Sequence, residues 1–443
     1  MSTIGIDLGN SNLCFGLWKN GNVEILENDF YKTKTPMFLS YKKDNNILFG
    51  DKAKENSIRN MNNTIYDIKR IFIRDKFSEY PFLESDGSFK IMKDNKKIDL
   101  KTVFKDLFAQ IKNIIYKKYN IDSAVISLTH FMSKSARNQI EEAAKEVDFK
   151  IKYIINDRIA ITLAYQLNHN FNLAENDLII DIGGSKTELS IININNYELK
   201  IIDSVTEKLG GRDFDKRLLE FMTIEMGKQE NIEIKGKLQR NLELECEKTK
   251  IALSSGHALN LEYNYMYQDE DRSATYELER KVLEKLSIDL YEKFENILKQ
   301  FFIKNKKEEI NQVILIGGTS RMPKIQEIIT NFFGREKINL TLNPDEAVAR
   351  GTALYAAIIS DQNDVNLDNL REKSQDYIRK YVNNCDIDDD SLDRCPSMKD
   401  LVVKRNEQIN KNDGRETIQL RKTEYKKNKN SKHNKNDDAR CCH

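Results

Sequence analysis

Short apolar runs alternate with longer amphipathic stretches from the first residues to about residue 360. The runs 3–8, 13–18, 124–128, 178–182, 187–192 and 312–316 have strand length and are rich in Ile, Leu and Val, so they predict β-strands. Segments 133–147, 212–225, 242–254, 278–301 and 323–333 carry apolar residues at helical spacing and predict helices. Three of the strands run into glycine turns, at Gly9, at Gly183-Gly184 and at Gly317-Gly318. Strands and helices mixed in this order predict an α/β protein with more than one sheet.

Two of these segments repeat a pattern. Ile4-Gly5-Ile6-Asp7-Leu8-Gly9-Asn10-Ser11-Asn12 opens the chain, and Leu178-Ile179-Ile180-Asp181-Ile182-Gly183-Gly184-Ser185-Lys186 opens its middle. Each is an apolar strand, an Asp, an apolar residue, Gly, small polar residues and a second apolar strand. A duplicated β-hairpin unit predicts two similar subdomains around a cleft. The pattern changes after about residue 361. Residues 361–384 predict a short polar helix, and 386–390 are acidic. From Lys404 onward apolar residues nearly vanish and basic side chains outnumber acidic ones. Such a tail cannot offset its ordering entropy and is expected to be disordered. Its positive charge is either simply solvated or makes weak contact with RNA or an acidic partner.

Composition narrows the function classes. Lys and Arg number 71 and Asp and Glu 70, so no overall charge draws the chain to nucleic acid or to an anionic membrane. No apolar run reaches the roughly 18 residues of a membrane span. Asp7 sits where a signal peptide would be apolar, so a cytoplasmic location is expected. Cys14, Cys246, Cys385, Cys395, Cys441 and Cys442 form no metal or CxxC spacing and predict reduced thiols. His130, His169, His257, His433 and His443 are dispersed and show no ligand spacing.

The candidate chemistry lies in the hairpins. A strand ending in Asp-x-Gly makes a tight turn whose backbone N–H groups can cradle an anion, with a carboxylate beside it. One such hairpin is also an ordinary structural turn. Two matched copies are more specific, and facing carboxylates Asp7 and Asp181 would repel unless a divalent cation lay between them. A third strand runs through Gly317 and Gly318 to Pro323 near a helix start, a place for a nucleoside to lie or an ordinary strand-to-helix turn.

With these residues assembled, the chain resembles the ATPase domain of the heat-shock protein 70 (DnaK-type) chaperone family. The resemblance is carried by residues 5–12, Asn63-Thr64-Ile65-Tyr66-Asp67-Ile68-Lys69-Arg70, residues 178–190, Leu209-Gly210-Gly211-Arg212-Asp213-Phe214-Asp215, residues 246–255, residues 317–323 and Asn343-Pro344-Asp345-Glu346-Ala347-Val348-Ala349-Arg350-Gly351. It implies an actin-like ATPase fold of two lobes, each with a ribonuclease-H-like sheet and helices, and ATP or ADP with Mg2+ in the central cleft. The lobes are expected over 1–176 and 177–361, followed by a polar extension over 362–403 and a basic tail over 404–443.

Matched residue by residue, the resemblance makes Asp7, Asp181 and Glu188 metal-side groups and Lys69, Asp181 and Asp157 catalytic. It makes Gly9, Asn10, Ser11 and Asn12 the first phosphate loop and Gly183, Gly184, Ser185 and Lys186 the second. Gly210 and Gly211 match a turn beside phosphate and ribose. Glu247, Lys250 and Ser254 match adenosine contacts on one helix face, although Glu247 and Lys250 also read as an intrahelical ion pair. Gly317, Gly318, Arg321 and Asp345 match the adenine side. Implied partners are the nucleotide and co-chaperones or another chaperone.

Several positions depart from the family pattern. Asn10 replaces Thr, and Ser185-Lys186 replaces Gly-Thr. Asn156-Asp157-Arg158 replaces Asn-Glu-Pro, Glu188 replaces Asp, and Thr129 replaces Pro, while Arg137 matches the arginine associated with that Pro. The leucine-rich interdomain linker and the alternating strands of a peptide-binding domain are not recognisable after residue 361. Each altered charge moves by about an ångström, enough to cost about a hundredfold in rate. The expectation is nucleotide binding with slow hydrolysis, or else an ATP-binding regulator. An actin-like filament former is a third, lower-ranked reading.

Overall fold

The computed structural model describes residues 3–360, apart from 73–79, 94–95, 122, 130–131, 133, 168–174, 196–197 and 269. The polar extension and basic tail expected after residue 361 lie outside the described residues. Two sheets share one plan. In the first, Asn22–Leu26, Asn12–Lys19 and Thr3–Leu8 form an antiparallel meander, and Ser123–Leu128 and then Lys150–Asn156 add in parallel beside Thr3–Leu8. In the second, Glu198–Glu207, Thr187–Asn195 and Glu175–Ile182 form the meander, and Ile310–Ile316 and Ile338–Asn339 add in parallel. The repeat legible in the two hairpins therefore extends to whole sheets, as the actin-like fold requires.

Period-2 alternation sorts the faces. Ile4, Ile6 and Leu8 enter the first core with Phe104, Phe108 and Ile126. Leu178, Ile180 and Ile182 enter a second core with Phe214, Phe294 and Leu315. A third core lies between the sheets and is built on two helices, Asp157–Gln166 and Ala347–Ile359. Ile159 and Leu163 of the first helix and Ala353 and Leu354 of the second share it with Ile179, Ile314 and Ile316 of the second sheet. The approach is close. A Cβ on Gly5 would stand 2.1 Å from the Ala353 nitrogen, and one on Gly351 would stand 1.6 Å from the Ala160 carbonyl oxygen.

Most expected elements are present with shifted ends. The helix expected over 242–254 runs Lys237–Ser255, and that over 212–225 runs Gly211–Glu230. One expectation is corrected. Segment 278–301 is not one helix, because Leu278 and Glu279 end the strand Glu270–Glu279, and Ser287 separates the helices Arg280–Leu286 and Ile288–Lys304. No helix among the described residues is long and apolar enough to cross a membrane.

Candidate functional site

The two glycine hairpins meet. In the first, a Cβ on Gly9 would stand 2.2 Å from the Asn12 carbonyl oxygen, so the turn closes tightly. In the second, the Gly183 N–H donates to the Lys186 carbonyl at 3.0 Å. A Cβ on Gly184 would stand 2.4 Å from Ser11 Oγ, which puts the first turn directly against the second. The expected flanking glycines back the second turn. The Gly211 N–H donates to the Gly183 carbonyl at 3.0 Å, and the Thr319 hydroxyl donates to the same oxygen at 2.9 Å. Gly210 lies where a Cβ would stand 2.5 Å from the Ser185 nitrogen, and Gly317 adopts φ 79° against Asp181. Gly318 packs beside Asp345.

Acidic groups converge at these turns. Asp7 and Asp181 stand near the carboxyl ends of their strands, where ligands bind in open α/β sheets. Burial pushes the Asp7 carboxyl up to about 7, reinforced by the charges of Asp157 and Asp181 and opposed by Lys69. Burial pushes Asp181 up to about 6, with Lys186 opposing and Glu188 and Asp157 reinforcing. Asp157, Asp181 and Lys69 are thus near enough to Asp7 for their charges to act on its carboxyl. The strand Lys150–Asn156 turns directly into a helix at Asp157, with the Asn156 side chain accepting the Arg158 N–H at 3.0 Å as its cap. This fixes Asp157 at the helix start, where its Oδ1 is buried and receives no protein hydrogen bond. Lys69 is buried, and its ammonium donates to the Leu8 carbonyl.

Four of the altered positions, Thr129, Arg158, Lys186 and Glu188, form one network. Glu188 lies opposite Asp181 across the hairpin. Arg158 Nε meets Glu188 Oε1 at 2.6 Å, and Lys186 Nζ meets Glu188 Oε2 at 2.8 Å. Lys186 also donates to Thr129 Oγ1 at 2.9 Å, and Arg158 donates to Ser204 Oγ at 3.1 Å. Glu188, expected beside a metal, thus has both oxygens engaged by cations of this chain. The remaining donors suit a divalent cation, since carboxylates driven toward the neutral form are what a cation relieves, and Asp157 Oδ1 is still unsatisfied. No three His, Cys, Asp or Glu among the described residues form a metal cage. Carboxylates such as Asp7, Asp157 and Asp181 are oxygen donors of the kind that a hard divalent cation takes.

The residues expected to contact adenosine lie on the helix Lys237–Ser255 and at the turn that includes Gly318–Arg321. Glu247 and Lys250 each find a partner outside their helix. Glu247 meets Lys54 at 2.6 Å, and Lys250 meets Asp215 at 2.7 Å and the Gly211 carbonyl at 3.0 Å. Despite burial, Lys54, Lys250 and Arg212 hold the Glu247 carboxyl below its ordinary range. The Ser254 hydroxyl turns back to the Lys250 carbonyl at 2.9 Å. Arg321 pairs with Asp345 at 3.1 Å and donates to Asn343 Oδ1 at 2.6 Å, and Lys34 reaches Asp345 at 2.9 Å.

Sequence reasoning gave no role to Asp67, Arg158, Arg212 or Arg240. Asp67 holds φ 59°, a left-handed conformation that a non-glycine residue keeps only where its surroundings impose it. It accepts from Asn10 Nδ2 at 2.7 Å and Tyr80 OH at 3.2 Å, and it pairs with the Arg212 guanidinium. Arg240 lies over the Tyr66 ring at 4.4 Å and donates to Ser57 Oγ at 3.1 Å. Together with Lys54–Glu247 and Lys34–Asp345, these contacts bridge the two halves. The only signal in the chain was the proximity of Asp67 to Lys69 in a matched run. A separate open groove of about 610 Å³, lined by Lys281, Tyr291, Lys324 and Phe332 among others, contains none of these residues.

Comparison with known proteins agrees with this arrangement. Residues 3–372 match the family model described as Hsp70 protein. Heat shock cognate 70 kDa protein 3 of Dictyostelium discoideum is 31% identical over 389 residues, which cover 81% of this chain and 61% of that protein. This chain thus spans about three-fifths of the length of that relative. The paired sheets, the facing hairpins and the match over nearly all the described residues lead to one assignment: the chain belongs to the Hsp70 protein family.

Proposed function

We propose that the chain binds ATP and ADP between its two hairpins and hydrolyses ATP slowly, with closure of two lobes over 1–176 and 177–361 as the signal that chaperone partners read. The observation that carries this reading is the meeting of Gly184 with Ser11, which sets the two hairpin turns together at the ends of the strands that bear Asp7 and Asp181. Asp7 and Asp181 would hold Mg2+ through water and phosphate, where the ion would neutralise phosphate charge. Residues 9–12 and 183–186 would cradle the phosphates with backbone N–H groups. Lys69 would add a point charge, and Asp157 would accept a hydrogen bond from the attacking water. Glu247, Lys250, Ser254 and Arg321 would receive the adenosine. Single-turnover hydrolysis tests this assignment. Lys69→Ala is expected to slow the chemical step by at least about a hundredfold while binding persists. Equal rates would remove Lys69 from the chemistry.

A second reading is favoured by the seat of Lys186 on Glu188 and Thr129. The protein would then hold ATP as a structural ligand and act as a regulator that docks another chaperone. ATP recovered intact after hours of incubation would support that reading. Prompt release of ADP would support hydrolysis.

A further inference from the structure

We infer that the Lys186 ammonium is a resident counter-ion of the phosphate site, so that the cleft takes up a nucleoside triphosphate with little dependence on a divalent cation. The inference rests on the nucleotide site proposed above and concerns how this chain supplies positive charge to it.

The register of the second hairpin sets the problem. Glu188 stands opposite Asp181, on the same face of an antiparallel pair. Like charges in that relation destabilise a sheet. The first hairpin has no such pair, because Cys14 is the residue opposite Asp7. Two cations answer the extra carboxylate. Arg158 meets one oxygen of Glu188 at 2.6 Å and Lys186 the other at 2.8 Å.

The two cations are not equivalent. Arg158 is 4% exposed, sits in the first turn of a helix and is held on its far side by Ser204. It stays. Lys186 sits at the hairpin tip, in the turn closed by the Gly183 N–H, and its side chain keeps a quarter of its surface open. A lysine ammonium on a four-carbon stem is a mobile point charge and binds phosphate as such. When it swings from Thr129 toward an arriving phosphate, Glu188 keeps Arg158 and is not left as an unpaired buried charge. The ammonium stands between Glu188 and Thr129, and the charges of Asp181 and Asp157 also act on it. The positive charge that phosphate needs is therefore covalently present at this turn.

The test is calorimetric titration of ATP into the full chain, once with magnesium and once with excess EDTA, for wild type, Lys186→Met and Lys186→Arg. Wild type is expected to bind in both buffers, with affinities within about threefold of each other. Lys186→Met is expected to lose at least about tenfold in EDTA and much less in magnesium, and Lys186→Arg to recover most of the loss. Matching melting temperatures for the three proteins show that the variants are folded. Wild-type binding that requires magnesium overturns the inference and leaves the nucleotide site standing. Equal or tighter binding by Lys186→Met in EDTA also overturns it, since Lys186 would then be a bystander or a plug. Absence of binding in both buffers removes the nucleotide site and the inference together.

Discussion

Glu188 faces Asp181 across the second glycine hairpin, and both of its oxygens are held by cations, Arg158 and Lys186. The pair of cations makes a doubled acidic edge tolerable inside a cleft. Removing the buried one should be costly, because a carboxylate is then left short of a partner. Arg158→Ala is expected to lower stability by about 3 kcal/mol in urea unfolding. Adding Glu188→Gln to that variant should restore part of the loss. A loss under about 0.5 kcal/mol would mean that the pair is cosmetic.

The raised carboxyls of Asp7 and Asp181 give the unliganded protein a signed pH dependence. Their folded values of about 7 and about 6 lie above the ordinary 3.8. The folded state therefore binds protons more tightly than the unfolded chain. The resulting stabilisation is complete below about pH 4 and is lost as pH rises through 6 and 7. Asp7→Asn is expected to flatten this dependence and to raise the melting temperature at pH 8. A variant that melts lower than wild type at pH 8 would contradict the account.

The hairpins were legible in the sequence because strand alternation, Asp and Gly occur within a few residues, and the repeat doubled the signal. The strands Ala258–Tyr267 and Glu270–Glu279 were not recognised. Their inward residues Leu261, Tyr263, Tyr265, Ala274, Tyr276 and Leu278 do alternate, but charged neighbours mask the run, and Leu278 is in phase with the helix that follows. The helix Asp157–Gln166 was seen only as a motif, although Asn156 caps it. Lys186 and Glu188 could be read as departures, but their partners could not. Arg158 opens the helix Asp157–Gln166 and Thr129 follows the strand Ser123–Leu128, and nothing local in the chain ties them to the second hairpin.

Asp67 and Arg212 close the cleft from opposite halves. Arg212→Glu sets two like charges against each other and should open that edge. Release of a fluorescent ATP analogue, followed by stopped flow, is expected to speed up by about tenfold. Asp67→Asn should give a smaller effect, because it still accepts from Asn10. Release at the wild-type rate in Arg212→Glu would exclude this latch.

Gly351 marks the crossing of the two central helices. A methyl group there would stand 1.6 Å from the Ala160 carbonyl oxygen, a backbone atom that no side-chain change removes. Gly351→Ala is expected to cost about 3 kcal/mol or more, and Ala160→Gly should not rescue it. Thermal melting of the single and double variants reads this directly. Wild-type melting of Gly351→Ala would refute the close approach.

The claim that both hairpins close on one triphosphate is tested most directly by a crystal structure with magnesium and a non-hydrolysable ATP analogue. The account expects the phosphate chain between residues 9–12 and 183–186, the adenine toward Arg321, and Asp7 and Asp181 on either side of the metal. A nucleotide bound to one hairpin alone, or seated in the outer groove beside Tyr291 and Phe332, would contradict it.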